Sequence, residues 1–197
     1  MESGNKKLLQ ILRAARDLFW KHGMKRVTVE EICLSAGVSK MTFYKHFNNK
    51  QELALLILRQ LFDASMLEYR KVMDSNLSYP EKVNRIISNK LHYAKDASQE
   101  LIRELYGEGE PEIMDFIQQQ IQATFAMIRE EFRVLQMNGE IRPDMKPDFL
   151  LYILNKMVEM VSDAEFEALF SSPSEMTGTL SGFFFYGILP QDNRRSE

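Results

Sequence analysis

The chain has 197 residues and a net charge of −3, and its 45% hydrophobic and 27% charged residues are typical of a globular protein rather than a disordered one. Its longest apolar stretch, residues 182–189, falls well short of the roughly 20 residues that cross a bilayer, and nothing at the N-terminus resembles a secretory leader. A single cysteine, Cys33, excludes an internal disulfide, so we expect a cytoplasmic protein without membrane association.

The sequence predicts an all-α protein, because apolar residues repeat at spacings of three and four and no alternating strand pattern is found. A first helix is expected over residues 6–22, where the apolar residues form one stripe. Gly23 follows it and is expected to end it. Thr28 and Glu31 then have the spacing of a capping box, which predicts that a second, short helix begins directly after Thr28.

Gly37 separates this second helix from a third helix expected over residues 40–47. Two short helices joined at a glycine predict a helix-turn-helix, in which the second helix of the pair enters the major groove of DNA. Gly37 tolerates the positive φ of the turn, and Cys33 has the small side chain that the close crossing requires. We therefore interpret Cys33 as a packing residue rather than a redox sensor. Phe43 and Phe47, one turn apart, are expected to face the core.

Six further helices are predicted in the rest of the chain, which makes about nine in all. The fourth begins at Asn49, which with Glu52 forms a second capping pattern, and it continues to about Met73. The seventh has the clearest helical periodicity and spans roughly 27 residues before Asn138. The fifth is expected to begin near Pro80 and the sixth to end before Gly107. The eighth and ninth are expected to cover about 148–163 and 174–189.

The charge is distributed unevenly along the chain. Residues 1–53 contain ten Lys and Arg against five Asp and Glu, a net charge of +5, whereas residues 54–197 have a net charge of −8. Such an arrangement is typical of a protein in which only the first part meets a polyanion, although chance also produces it. We predict a helix-turn-helix DNA-binding domain over 1–53 and a larger helical domain over 54–197.

The third helix has an outward face that suits DNA. Once Phe43 and Phe47 point inward, the residues that point outward are Met41, Thr42, Tyr44 and Lys45, with Lys40 at the N-terminal tip. Lys40 is the best candidate for a guanine O6/N7 contact, and Met41 or the Thr42 methyl for a thymine methyl. Phosphate contacts, which fix register without reading sequence, are expected from Tyr44, His46 and Lys50. A three-helix packing unit without a DNA partner is the alternative interpretation.

Residues 8–57 resemble the N-terminal domain of TetR-type transcriptional regulators. The resemblance is carried by the runs TVEEI from Thr28, AGVS from Ala36 and TFYKHF from Thr42. It implies a homodimer with about nine helices per chain that binds palindromic double-stranded DNA and is released by a small molecule held in the C-terminal domain. The family's DNA contacts would fall on Thr28, Lys40, Met41, Thr42, Tyr44, His46 and Lys50.

Residues 54–197 contain most of the 13 Phe and 12 Met, which favours a pocket for an apolar or aromatic effector. Taken singly, each of these side chains is better explained as a core residue. The candidate pocket residues are Phe62, Met66, His92, Phe116 and Met127. The eighth and ninth predicted helices have more apolar surface than one chain needs, so we expect them to form a four-helix bundle in a homodimer.

An enzyme such as a ferritin-like di-iron protein is the competing hypothesis. Such a site needs Glu-x-x-His pairs, and none of the three histidines has a glutamate three residues before it. Metalloprotease, phosphate-loop and nucleophile-elbow motifs are also missing from the sequence. We therefore predict a repressor without catalytic activity, cofactor or metal. The remaining acidic cluster is expected to form a solvated rim of Glu104, Glu108, Glu110 and Glu112.

Overall fold

The computed structural model describes residues 2–190, with side chains from residue 6 onward except that of Glu108. Within these residues the chain is helical and contains no β-strand. Ten α-helices and one π-helical turn follow one another as α1 (Glu2–His22), α2 (Val29–Ala36), α3 (Lys40–Tyr44), α4 (Lys50–Met73), α5 (Tyr79–Ala94), α6 (Gln99–Arg103), the π turn (Glu104–Glu108), α7 (Pro111–Met137), α8 (Pro147–Met160), α9 (Ala164–Glu167) and α10 (Pro173–Gly187). The predicted all-α fold with an N-terminal helix-turn-helix is confirmed.

Local capping interactions fix the starts of α2, α3 and α4. The side-chain oxygens of Thr28, Ser39 and Asn49 each accept a hydrogen bond from the backbone N–H three residues later. The Glu31 carboxylate accepts in return from the Thr28 N–H at 2.8 Å, which completes the predicted capping box. These bonds satisfy N–H groups that a helix start otherwise leaves unpaired, and α2, α3 and α4 begin where the sequence predicts.

The helix α3 ends at Tyr44, earlier than the predicted Phe47. The N–H of His46 donates to the Phe43 carbonyl three residues back at 2.9 Å, which tightens the last turn. Phe47 is nevertheless buried beside Phe43, with 5.7 Å between the ring centroids. The predicted inward orientation of both rings is therefore confirmed.

The C-terminal half contains two elements that the sequence analysis did not predict. The sixth helix continues into the π turn, and the eighth ends at Met160 rather than near Asp163. The Asp163 carboxylate instead caps α9, accepting from the N–H groups of Glu165 and Phe166 at 2.9 Å each. Apolar periodicity alone does not predict where α8 ends and α9 begins. The Asp163 cap marks the start of α9.

Two clusters of buried side chains lie near opposite ends of α7. The first joins α1–α4 to α6 and the start of α7, and includes Phe19, Phe43, Leu53, Leu101, Ile113 and Ile117. The second joins α5, the end of α7, α8 and α10, and includes Val83, Phe132, Leu135, Leu150 and Phe184. The DNA-binding candidate helices thus share one core with α6 and α7. None of the helices in residues 2–190 combines the length and apolar character of a membrane span.

Between these clusters the packing is more open. None of residues 59–71 of α4 and none of residues 118–131 of α7 is buried. Large apolar side chains in these stretches, among them Phe62, Met66 and Phe125, are only half-buried. We call these two stretches the central seam. It leaves apolar side chains accessible to solvent in the middle of the larger helical region.

Candidate nucleic-acid interface

The outward face of α3 exposes large side chains over a buried anchor. Met41 is 72% exposed and Tyr44 is 55% exposed, and Lys40 and Lys45 are exposed on the same short helix. Behind them Phe43 is fully buried. The helix therefore presents ammonium, methyl and phenol groups together, which are the groups that read guanine, thymine and phosphate in a major groove.

Lys40 is held by a neighbour that the sequence analysis did not identify. Its ammonium forms an ion pair with the carboxylate of Glu30 on α2. The hydrogen bond from Lys40 holds the pKa of Glu30 below its ordinary value, and the same bond raises the pKa of Lys40. Both side chains are more than half exposed, so solvent screens this pair and DNA can compete for the ammonium.

The other polar candidates have partners within the helix-turn-helix. The Thr28 hydroxyl donates to Glu31 at 2.9 Å, and the hydroxyls of Thr42 and Ser39 share a hydrogen bond of 3.0 Å. His46 is half-buried, with its ring centroid 6.4 Å from that of Phe47. The hydroxyls of Thr28 and Thr42 therefore take part in hydrogen bonds at the starts of α2 and α3.

The structure uses Lys50 differently from the expected phosphate contact. Its ammonium donates to the backbone carbonyls of Met24, Lys25 and Val27 at 2.6, 3.0 and 2.7 Å. These three bonds use all three donors of the ammonium. Burial lowers the pKa of Lys50. Lys50 thus ties α4 to residues 23–28, the α1–α2 loop, and has no donor left for DNA in this conformation.

Glu104 does not belong to a solvated rim. It is 7% exposed, and its carboxylate accepts from the Met24 N–H at 2.5 Å and from the Lys25 N–H at 3.1 Å to each oxygen. The expectation of a solvated rim is therefore wrong for this residue, because a buried carboxylate needs donors and the α1–α2 loop supplies them. Glu110 and Glu112 are exposed, and the side chain of Glu108 lies outside the described residues.

A small cleft lies where the α1–α2 loop meets α4, the π turn and the start of α7. Its volume is about 70 Å³, and its walls include Lys25, Lys50, Glu104 and Glu110. Ligand pockets usually enclose roughly 300–1,000 Å³. The cleft is therefore too small for an apolar effector of ordinary size.

The helix-turn-helix turn has the geometry that the sequence predicts. Gly37 has φ of +64° and Cys33 is buried against the first core cluster. Burial raises the pKa of the Cys33 thiol, which opposes thiolate formation and agrees with a packing role. Among the side chains that the structure describes, no three His, Cys, Asp or Glu residues are grouped as metal ligands.

The predicted effector residues are partly brought together. The rings of Phe62 and Phe116 meet edge to face with centroids 5.7 Å apart, and Met66 and Met127 are half-buried in the central seam. His92 is exposed on α5, with its ring 5.9 Å from that of Tyr93, which differs from the expected place in an apolar pocket.

Comparison with known proteins supports the helix-turn-helix assignment. Residues 11–57 match the family model described as "Bacterial regulatory proteins, tetR family". The chain is 26% identical over 138 residues to the HTH-type transcriptional regulator UidR of Escherichia coli, an alignment that covers 69% of each chain. It is also 43% identical over 54 residues to the HTH-type transcriptional regulator TtgR of Pseudomonas putida, covering 27% of this chain and 26% of that one.

The fold is also shared by solved structures of low sequence identity. A transcriptional regulator from Saccharomonospora viridis in complex with choline has a TM-score of 0.73 at 20% identity, covering 93% of this chain and 98% of that one. The similarity extends beyond the helix-turn-helix and includes the larger helical region.

Proposed function

We propose that this chain, whose residues 11–57 match the TetR family model, is a homodimeric TetR-type repressor that binds a palindromic operator and is released by an apolar or aromatic effector. The observation that carries the DNA-binding part is the exposed face of α3, anchored from behind by Phe43 and Phe47. The net charge of +5 on residues 1–53 supports the same role, since DNA binding is driven largely by phosphate contacts.

We assign operator reading to the tip and outward face of α3. Lys40 and Met41 are the proposed base contacts, together with the methyl of Thr42. Phosphate contacts are assigned to Tyr44, Lys45 and His46, with Thr28 at the edge of the interface. Lys50 is assigned to the α1–α2 loop instead, because its three donors are already in use. We also propose the expected cytoplasmic location, because a DNA-binding regulator must reach the chromosome.

The proposed dimer interface combines α8 and α10. Exposed apolar side chains lie on both helices, and they are Phe149, Tyr152 and Met160 on α8 and Phe183 and Tyr186 on α10. Phe183 alone is 77% exposed. Two copies of this helix pair would form a four-helix bundle and hide these rings. A rigid dimer is also what spaces two recognition helices by about one DNA turn, roughly 34 Å.

The proposed effector site is the central seam. Its half-buried apolar side chains include Phe62, Met66 and Met127, next to the buried Phe116. A ligand that fills this space removes apolar surface from water and would move α4, which also belongs to the first core cluster. A tilt of α4 changes the separation of the two DNA-binding domains of a dimer. His92 is left out of the site because it is exposed.

Selection of bound fragments from a random DNA pool tests this function. We expect an inverted repeat with half-sites about one helical turn apart, and we expect Lys40→Gln to lose the preference. A panel of apolar compounds is then screened for release of that DNA and for increased thermal stability. No preference for any fragment over random DNA at moderate salt would contradict the proposal.

A further inference from the structure

Within the proposed function on which it rests, we infer that Glu104, which lies outside the family-matched residues 11–57, is a positioning residue for operator binding. Its carboxylate holds the α1–α2 loop in the conformation that presents α2 and α3 to DNA. It acts on DNA only through this loop.

The carboxylate is built into the end of α1. Gly23 ends this helix with φ of +76°, and the next two N–H groups, of Met24 and Lys25, both point to Glu104. Ideal placement of a β-carbon on Gly23 would bring it 2.6 Å from Glu104 Oε1. A side chain at position 23 would therefore require the Glu104 carboxylate to shift.

The opposite polar groups of the same loop are held by α4. Lys50 donates to the carbonyls of Met24, Lys25 and Val27, while Glu104 accepts from two N–H groups. The peptide groups of the loop are thus fixed by one cation and one anion from two different helices. Met24 and Val27 of the loop also pack into the first core cluster, while Lys50 and Glu104 hold its peptide groups beside the cleft of about 70 Å³.

The segment that carries Glu104 is itself attached on two sides. At its start the Ser98 N–H donates to the Trp20 carbonyl at 2.8 Å, near the end of α1. Arg103, directly before Glu104, donates to both carboxylate oxygens of Glu167 on α9 at 2.9 and 2.7 Å. Two adjacent residues therefore contact different parts of the chain, since Arg103 binds α9 and Glu104 binds the α1–α2 loop.

This arrangement makes the loop sensitive to small movements of α6. Hydrogen bonds weaken steeply once their distance and angle leave the favourable range, so a shift of less than 1 Å at Glu104 would weaken its bonds to the loop. The loop leads directly into the cap of α2 at Thr28. Release of the loop would therefore loosen the entry to the helix-turn-helix.

The test compares specific with non-specific DNA binding for Glu104→Gln in the full-length protein, using the operator selected by the wild type. We expect about tenfold weaker operator binding, since a hydrogen-bonded charge is lost. Non-specific binding should stay within about twofold, because it depends on surface cations. Glu110→Gln is the matched control, since Glu110 lines the same cleft, has the same charge and is exposed. Ile113→Val, in the same core cluster, controls for reduced stability alone.

Both controls should keep the wild-type ratio of specific to non-specific affinity, and a Glu104→Gln variant with that same ratio would overturn the inference. Hydrogen exchange on the wild type provides a measurement that does not require the variant to fold. We expect the Met24 and Lys25 amides to exchange slowly, and exchange at the rate of an open loop would also overturn it. A wild type that selects no operator would instead overturn the proposed function, and this inference with it.

Discussion

Gly23 and Glu104 lie so close that a β-carbon at position 23 would meet the Glu104 carboxylate oxygen at 2.6 Å. The two residues are 81 positions apart in sequence, yet they set the joint between the helix-turn-helix and the rest of the chain. At this point the joint is polar and includes the buried Glu104 carboxylate, which a β-carbon at position 23 would displace. Its properties lead to the first prediction.

Gly23→Ala should destabilise the protein more than Gly139→Ala. Both glycines have positive φ, +76° and +72°, so each substitution costs about 1–2 kcal/mol of backbone strain. A β-carbon on Gly139 meets nothing within 4 Å, whereas one on Gly23 meets Glu104. Urea unfolding of both variants measures the difference. Equal losses of unfolding free energy would show that the carboxylate moves aside freely.

Lys50→Gln should weaken operator binding without changing its salt dependence. Lys50 bonds to loop carbonyls, so its loss affects the conformation of the loop rather than the number of phosphate contacts. Lys45→Gln is the comparison, because an exposed lysine that meets phosphate contributes roughly 0.9 per monomer to the slope of log affinity against log salt. Binding titrations across a salt series give both slopes. A reduced slope for Lys50→Gln would return this residue to the phosphate contacts.

Glu30→Gln should strengthen DNA binding. The substitution frees the Lys40 ammonium and removes a negative charge next to it. In a Lys40→Gln background the part of this effect that acts through Lys40 should disappear, which a double-mutant cycle detects. Competition binding with operator and scrambled DNA provides the measurement. An undiminished effect in that background would mean that Glu30 acts only through its charge.

Phe183→Asp should prevent dimerisation and thereby abolish tight operator binding. The ring is 77% exposed on α10, beside the exposed apolar side chains of the proposed interface. Leu169→Asp places the same charge on a side chain that is 71% exposed but lies between α9 and α10. Sedimentation at micromolar concentration should show a monomer for the first variant and a dimer for the second. A dimeric Phe183→Asp variant would exclude this face as the interface.

Glu131→Gln should change how stability depends on pH. Burial raises the pKa of Glu131, which accepts a hydrogen bond from Tyr69. The folded state therefore keeps a proton that the unfolded state has lost, so stability decreases as pH rises from about 4.5 through the folded-state pKa. The variant has no such proton, and its stability relative to wild type should increase over this range. Urea midpoints between pH 4 and 7 test this, with the exposed Glu112→Gln as control.

Local signals predicted the helix-turn-helix well. The capping pairs lie three residues apart, and they are Thr28 with Glu31, Ser39 with Thr42 and Asn49 with Glu52. Such a bond forms within one helical turn, so it does not depend on how distant segments dock. The inward turn of Phe43 and Phe47 follows from helical periodicity in the same way.

Contacts between distant segments could not be predicted. Glu104 and Met24 are separated by 80 positions and Lys50 and Val27 by 23, so their bonds depend on how α6 and α4 dock against the end of α1. The sequence around Glu104 resembles a solvated acidic loop, and only the docked backbone N–H groups make burial of this carboxylate favourable. The exposure of His92 depends on docking in the same way.

The separation of the buried anchor of α3 from its proposed DNA-reading surface has an evolutionary consequence. Phe43, Phe47 and the caps secure this helix without help from Met41 or Lys45. Mutations at those outward positions can therefore accumulate with little penalty to folding. Descendants of a duplicated gene could acquire new binding-site preferences on an unchanged scaffold, which would allow regulatory circuits to diverge rapidly.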